Sequence, residues 1–128
     1  IVDNKANIEI DVDNFSVIKF STKNLRSILY NLISNSIKYS SLERNPEILI
    51  KTTMSDKYCV LIVKDNGLGI KRENQDKIFT KYKRLHDHVE GTSLVLYMVK
   101  IIVENAGGKI EVESELGKGS TFKIFFKA

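Results

Sequence analysis

The sequence predicts an α+β fold: a two-layer arrangement with one mixed, mostly antiparallel sheet covered on one face by three helices. Three observations carry this. Alternating apolar and polar residues, the signature of half-buried strands, recur in pairs separated by short turn signals. Two longer segments have apolar residues at helical spacing instead. Hairpins and helices in this mixture fit one sheet backed by helices.

The elements follow in order. Residues 7–12 alternate and read as a strand, and Val17-Ile18-Lys19-Phe20 reads as a second, shorter one. Residues 24–39 form an amphipathic helix. Leu25, Ile28, Leu29, Leu32, Ile33 and Ser36 make its apolar stripe, and Ser21 is placed to cap its start. Residues 41–46 are polar, hold the only proline, Pro46, and read as a loop. The runs from Ile48 to Thr53 and from Tyr58 to Lys64 flank Ser55-Asp56 and form a hairpin. Asp65-Asn66-Gly67-Leu68-Gly69-Ile70 is a tight turn, and residues 71–79 form a short helix ending at Ile78-Phe79. Residues 80–91 are polar, without period, and read as a mobile loop of the kind used as a lid. Leu94 through Glu104 make a second long helix, apolar on most faces and so well buried, capped by Thr92 or Ser93 and closed by Gly107-Gly108. Lys109 through Ser114 and Ser120 through Phe126 pair across Gly117-Lys118-Gly119.

Composition bounds the function. The 128 residues fit one domain, and 42% hydrophobic residues suffice for a core. The net charge of +4 favours anionic ligands, but the lysines are spread along the chain, unlike the clustered stripe of a nucleic-acid binder. The single cysteine, Cys59, excludes an internal disulfide and fits a reducing, cytoplasmic setting. No apolar run reaches the roughly 18 residues of a membrane span, so no direct membrane contact is expected. The chain opens on Ile1-Val2 in mid-pattern, as a piece of a longer protein would.

Two features point to chemistry. Asn31, Asn35 and Lys38 stand at i, i+4 and i+7 and share one face of the first helix. Asparagine is unfavourable inside a helix, because its amide competes for backbone hydrogen bonds. The stripe is either an ordinary solvated face or a surface for a magnesium–phosphate ligand, since amide oxygens suit magnesium and an ammonium suits phosphate. The turn at Asp65 is either a plain loop after a strand or a place where a ligand approaches bare backbone. His86 and His88, without further ligands, read as polar surface rather than a metal site.

Together these segments resemble the catalytic, ATP-binding domain of sensor histidine kinases, within the wider family of gyrase, heat-shock chaperone and mismatch-repair ATPases. The resemblance covers nearly the whole chain. Residues 31–40 look like the family's N box, and residues 65–70 match its first glycine box. Ile78-Phe79 through Tyr82-Lys83-Arg84 resembles the F box, Gly91 through Leu96 the second glycine box, and Gly117 through Phe122 the late turn and strand. It implies the Bergerat ATP-binding fold, a lid at about residues 80–93, and ATP and Mg2+ as ligands.

The roles that the resemblance implies follow the motifs. Asn35 coordinates the magnesium bridging the phosphates, with Asn31 beside the same ion. Lys38 and Tyr39 contact phosphate or ribose. Asp65 accepts a hydrogen bond from the adenine amino group, while Gly67 and Gly69 let the turn lie against the base. Thr121 helps hold adenine. Gly91, Thr92, Leu94 and Leu96 line the phosphate side, and Arg84 reaches the γ-phosphate. Partners implied are a dimerising, phosphoacceptor helical domain of the parent kinase, absent from this chain along with any sensor domain, and a downstream response regulator. The resemblance allows a membrane-anchored parent protein, with this domain on the cytoplasmic side.

Asn31 sets the branch. ATP-hydrolysing members carry a glutamate there as base for water, and an amide cannot take a proton. Bound ATP is then spared for transfer, and Asn31 and Arg84 are the catalytic candidates. The second glycine box departs from the pattern: Ser93 and Val95 replace two expected glycines. If position 95 requires a positive φ, valine is strongly disfavoured there. The expectation is weakened ATP binding and reduced transfer. The alternative is a degenerate, non-catalytic interaction module of the same fold; an ATPase of the chaperone or topoisomerase type is disfavoured by Asn31.

Overall fold

The computed structural model describes residues 7–11, 21–75, 78–79 and 94–127. The elements are β1 (Asn7–Asp11), α1 (Thr22–Lys38), β2 (Glu47–Ser55), β3 (Tyr58–Asp65), α2 (Arg72–Gln75), α3 (Leu94–Asn105), β4 (Lys109–Glu115) and β5 (Gly119–Lys127). They form a five-stranded sheet in the order β1-β2-β3-β5-β4. β1 runs parallel to β2, and the other three pairs are antiparallel. The predicted strand at 17–20 and the lid lie outside the described residues.

Alternation along the strands decides which face the helices cover. Ile48 and Ile50 of β2, Leu61 and Val63 of β3, and Phe122, Ile124 and Phe126 of β5 form one buried cluster. Ile28 and Leu32 of α1 and Leu96, Val99 and Val103 of α3 close it from above, with Ile70 and Ile78. The apolar stripe predicted for α1 is therefore the stripe that it buries. Its start is capped as expected, the Ser21 hydroxyl accepting from the Asn24 N–H at 3.3 Å.

Three expectations are corrected. α2 spans Arg72–Gln75 rather than running to Phe79. The Gln75 amide donates to the carbonyls of Ile70 (3.0 Å) and Ser114 (2.8 Å), tying the segment sideways onto β4. Ile78 then sinks into the core, and Phe79 meets Phe122 edge to face at 6.4 Å. α3 is not buried all round: Met98 and Ile101 are exposed, because only one stripe of the helix meets the sheet and α1. Finally, α3 starts at Leu94, so Val95 has helical backbone, and among the described residues Asp56 alone of the non-glycines has a positive φ. Valine at 95 carries no left-handed strain.

Candidate functional site

The candidate site lies where the C-terminal half of α1 meets the turn after β3. Asn35, Tyr39, Asp65, Gly69, Ile70, Ser120 and Phe122 line one cavity there. Helical spacing delivers Asn35 and Tyr39 from α1, one turn apart. The β3–β5 register sets Asp65 directly beside Ser120.

Asp65 is the most constrained group in the site. Its Oδ1 accepts from the N–H groups of Gly67 (2.9 Å) and Ser120 (3.2 Å), and its Oδ2 accepts from the Ser36 hydroxyl (3.0 Å). Burial pushes its carboxyl above the ordinary aspartate value, while the bonds from Gly67, Ser36 and Ser120 pull the other way. The native carboxyl thus holds its proton more tightly than an unfolded one. Ionised Asp65 destabilises the fold above its native pKa, and this penalty vanishes as pH falls below the unfolded value.

The glycines of the turn answer first to the chain itself. A Cβ on Gly67 would stand 2.7 Å from the Tyr39 carbonyl oxygen. That carbonyl accepts from the Leu68 N–H at 2.9 Å, so the turn lies directly on the end of α1. Gly69 has φ +74° and lies against the backbone of Glu115 and Leu116. The close approach expected for a ligand is here an approach of backbone to backbone, although Gly69 also reaches the cavity wall.

The remaining predicted residues separate into those brought together and those not. Asn31 is half-buried one turn before Asn35, its amide donating to the Ser27 hydroxyl at 3.4 Å. Lys38 is exposed at the end of α1, outside the cavity lining. Leu96 is buried in the core. Leu94 opens α3. Arg84, Gly91 and Thr92 lie outside the described residues. Thr121 stands on the opposite face of the sheet, in register with Lys64 and Glu113. The residue that reaches the cavity is its neighbour Ser120, whose hydroxyl is 2.8 Å from that of Ser114. Ser114 in turn accepts from the Ile70 N–H at 2.8 Å, holding the other end of the turn.

Sequence reasoning missed Ser36, Ser114 and Ser120. The phase of β5 was available as a signal: Phe122, Ile124 and Phe126 mark the buried face, and the same parity includes position 120. Ser36 falls in the apolar stripe by its spacing, and it is buried as that stripe requires. Its hydroxyl has work there because Asp65 is the group it meets.

The cavity joins apolar side chains, Ile70 and Phe122, to a fixed carboxylate. A carboxylate is acceptor-only and matches an amino group rather than a carbonyl. Oδ2 has Ser36 as its one partner among the described residues, which leaves a lone pair for such a donor.

The model of the family described as histidine kinase-, DNA gyrase B- and HSP90-like ATPase matches residues 21–128. Cyanobacterial phytochrome A from a Nostoc species is 38% identical over 112 residues, covering 86% of this chain and 14% of that protein. Sensor protein RprX of Bacteroides fragilis is 34% identical over 112 residues, covering 84% of this chain and 22% of that protein. The chain thus spans less than a quarter of the length of these relatives. Among solved structures, a mycobacterial sensor histidine kinase, MprB, superposes with a TM-score of 0.80 at 22% identity, covering 95% of this chain and 81% of that one. Full-length ShkA in complex with AMPPNP superposes with a TM-score of 0.78 at 26% identity, covering 98% of this chain and 27% of that one. Within the described residues, no helix is long and apolar enough to cross a membrane. The chain belongs to the histidine kinase-, DNA gyrase B- and HSP90-like ATPase family.

Proposed function

We propose that this chain binds Mg-ATP and donates its γ-phosphoryl to a histidine on a separate helical domain of the parent kinase. The observation that carries the reading is Asp65: a half-buried carboxylate, oriented by three donors, on the wall of a cavity that also holds Asn35. Adenine would donate its amino hydrogen to Oδ2. Asn35, with Asn31 one turn behind, would offer amide oxygen to magnesium, and the ion would supply charge neutralisation to the phosphates. Tyr39 lines the same cavity and fits a contact with the ribose or base. Lys38, at the exposed end of α1, is placed for long-range attraction of phosphate rather than for the base.

The AMPPNP complex of ShkA supports a nucleotide as ligand of this fold. Asn31 supports transfer over hydrolysis, because its amide cannot act as base for water. Phosphoryl transfer rests on positioning and charge stabilisation. Arg84 would provide the second from the lid at about 80–93, and the helical domain would complete the first. A downstream response regulator and a cytoplasmic location of this domain belong to the same reading.

The substituted glycine box adds a quantitative expectation. With no backbone strain at 95, the effect of Ser93 and Val95 falls on how closely the segment can approach phosphate. Replacing both (S93G with V95G) tightens ATP binding by about an order of magnitude, read by calorimetry. Unchanged affinity removes the substituted box as a cause of weak binding. An interaction module that ignores ATP is the second reading, favoured by those same two substitutions.

The pH dependence follows from Asp65. Only the ionised carboxylate accepts from adenine without offering a competing proton. Because burial raises its pKa, ATP affinity falls on acidification starting above the usual aspartate value, about 3.9. Titrations at stepped pH, with Asp65 followed by carboxyl NMR, check that the two transitions coincide. Transfer from labelled ATP to the isolated helical domain of the parent kinase tests the proposal as a whole: a labelled, acid-labile histidine supports it, ATP binding without transfer overturns the transfer step, and no ATP binding leaves the interaction module.

A further inference from the structure

The connection from α1 to β2 is a plain polar loop by sequence, yet it sends one side chain into the site's framework. Arg44 donates from Nε to the Asn66 carbonyl at 2.6 Å. Its Nη2 donates to the carbonyls of Gly67 and Gly117, each at 2.9 Å. Among the described residues it has no ion-pair partner. A guanidinium is a rigid planar fork whose donors leave at fixed angles, so three carbonyls around it are fixed relative to one another.

Those carbonyls belong to two different segments: the turn after β3 and the turn between β4 and β5. The same two segments hold Asp65, since its Oδ1 takes one N–H from Gly67 and one from Ser120. The turns are also joined by the Gly117 N–H to Leu68 carbonyl bond at 2.7 Å, and the Ile70 N–H reaches Ser114 of β4 at 2.8 Å. The base of Arg44 is itself anchored. The Asn66 amide donates to the Asn45 carbonyl (3.1 Å) and accepts from the Glu47 N–H (2.9 Å). Loop and turn thus grip each other reciprocally.

We propose that Arg44 is a positioning residue for the nucleotide pocket: it fastens the 65–70 turn to the β4–β5 turn and so sets the orientation of the Asp65 carboxylate. Arg44 itself lies outside the cavity lining and acts through Asp65. This rests on the reading of Asp65 as the adenine acceptor. A lysine ammonium is a compact point charge on a flexible stem and reproduces only part of a fork.

The test compares the whole chain with Arg44→Met and Arg44→Lys, by amide hydrogen exchange and by calorimetric titration with ATP. In Arg44→Met, exchange at Gly67, Leu68 and Gly117 accelerates selectively over the amides of β3 and β5, and the ATP dissociation constant rises roughly tenfold. Arg44→Lys falls between the two and remains informative if the methionine variant does not fold. Exchange that accelerates uniformly across the sheet means that Arg44 only adds global stability, and overturns the proposal. So does unchanged ATP affinity in a variant of a parent chain that binds. A parent chain that fails to bind sinks the proposed function instead, and selective exchange alone then decides whether Arg44 holds the two turns.

Discussion

Asp65→Asn abolishes ATP binding and leaves the fold standing. The substitution preserves every hydrogen bond that the structure gives this side chain. Oδ1 remains a carbonyl oxygen for the N–H groups of Gly67 and Ser120. Nδ2 takes the place of Oδ2 and donates to the Ser36 hydroxyl, which can accept as readily as it donates. The group facing the cavity has then changed from acceptor to donor, and adenine's amino group meets a second N–H. Losing a charge-assisted bond and gaining an opposed donor weakens binding by at least about 100-fold. Stability holds or rises, because the neutral amide escapes the desolvation penalty that raises the pKa of the carboxyl. Calorimetry and thermal melting read the two effects separately. A large fall in melting temperature would mean that Asp65 is a structural group first.

Gly69→Ala has the opposite profile and unfolds the protein or nearly so. Gly69 sits at φ +74°, and a Cβ there would lie 2.1 Å from the Glu115 carbonyl oxygen and 2.9 Å from the Leu116 Cα. Those are backbone atoms, with no flexible end to move aside. The neighbours on both sides are fixed: the Leu68 carbonyl accepts from Gly117 and the Ile70 N–H donates to Ser114. A clash with no route of relief, added to the left-handed strain, costs roughly 3 kcal/mol or more, a large share of a typical domain's stability. Gly117→Ala is the matched control. Its φ is +86°, but nothing lies within 4 Å of the added methyl, so only the conformational term of about 1–2 kcal/mol remains. Chemical denaturation of both variants separates clash from strain; equal losses would contradict the packing seen at Gly69.

The sequence showed most of the frame because local patterns decided it. The stripe of α1 told which face is buried, and the turn residues between alternating runs told where hairpins close. Asn35 and Asp65, thirty residues apart, meet in one cavity. Three kinds of information were not local. Strand parity is set by the whole sheet, and a step of one residue, from Thr121 to Ser120, exchanges faces. Partners of buried polar groups depend on what lands opposite, so Ser36 read as stripe filler when it is a donor to Asp65. The use of Gly67 and Gly69 depends on which backbone passes beside them, and that proved to be α1 and the β4–β5 turn. The exposed Met98 and Ile101 show the same limit: an apolar helix has no outer face until the sheet's width is known.

The most direct measurement is calorimetric titration of the chain with a non-hydrolysable ATP analogue, with and without magnesium, repeated on Asp65→Asn. The account predicts binding that magnesium strengthens and that the asparagine variant loses. Equal binding by the parent chain and by Asp65→Asn would contradict it, because the adenine would then not be read by the Asp65 carboxylate that the fold holds in place. So would a folded parent chain that binds no nucleotide at all.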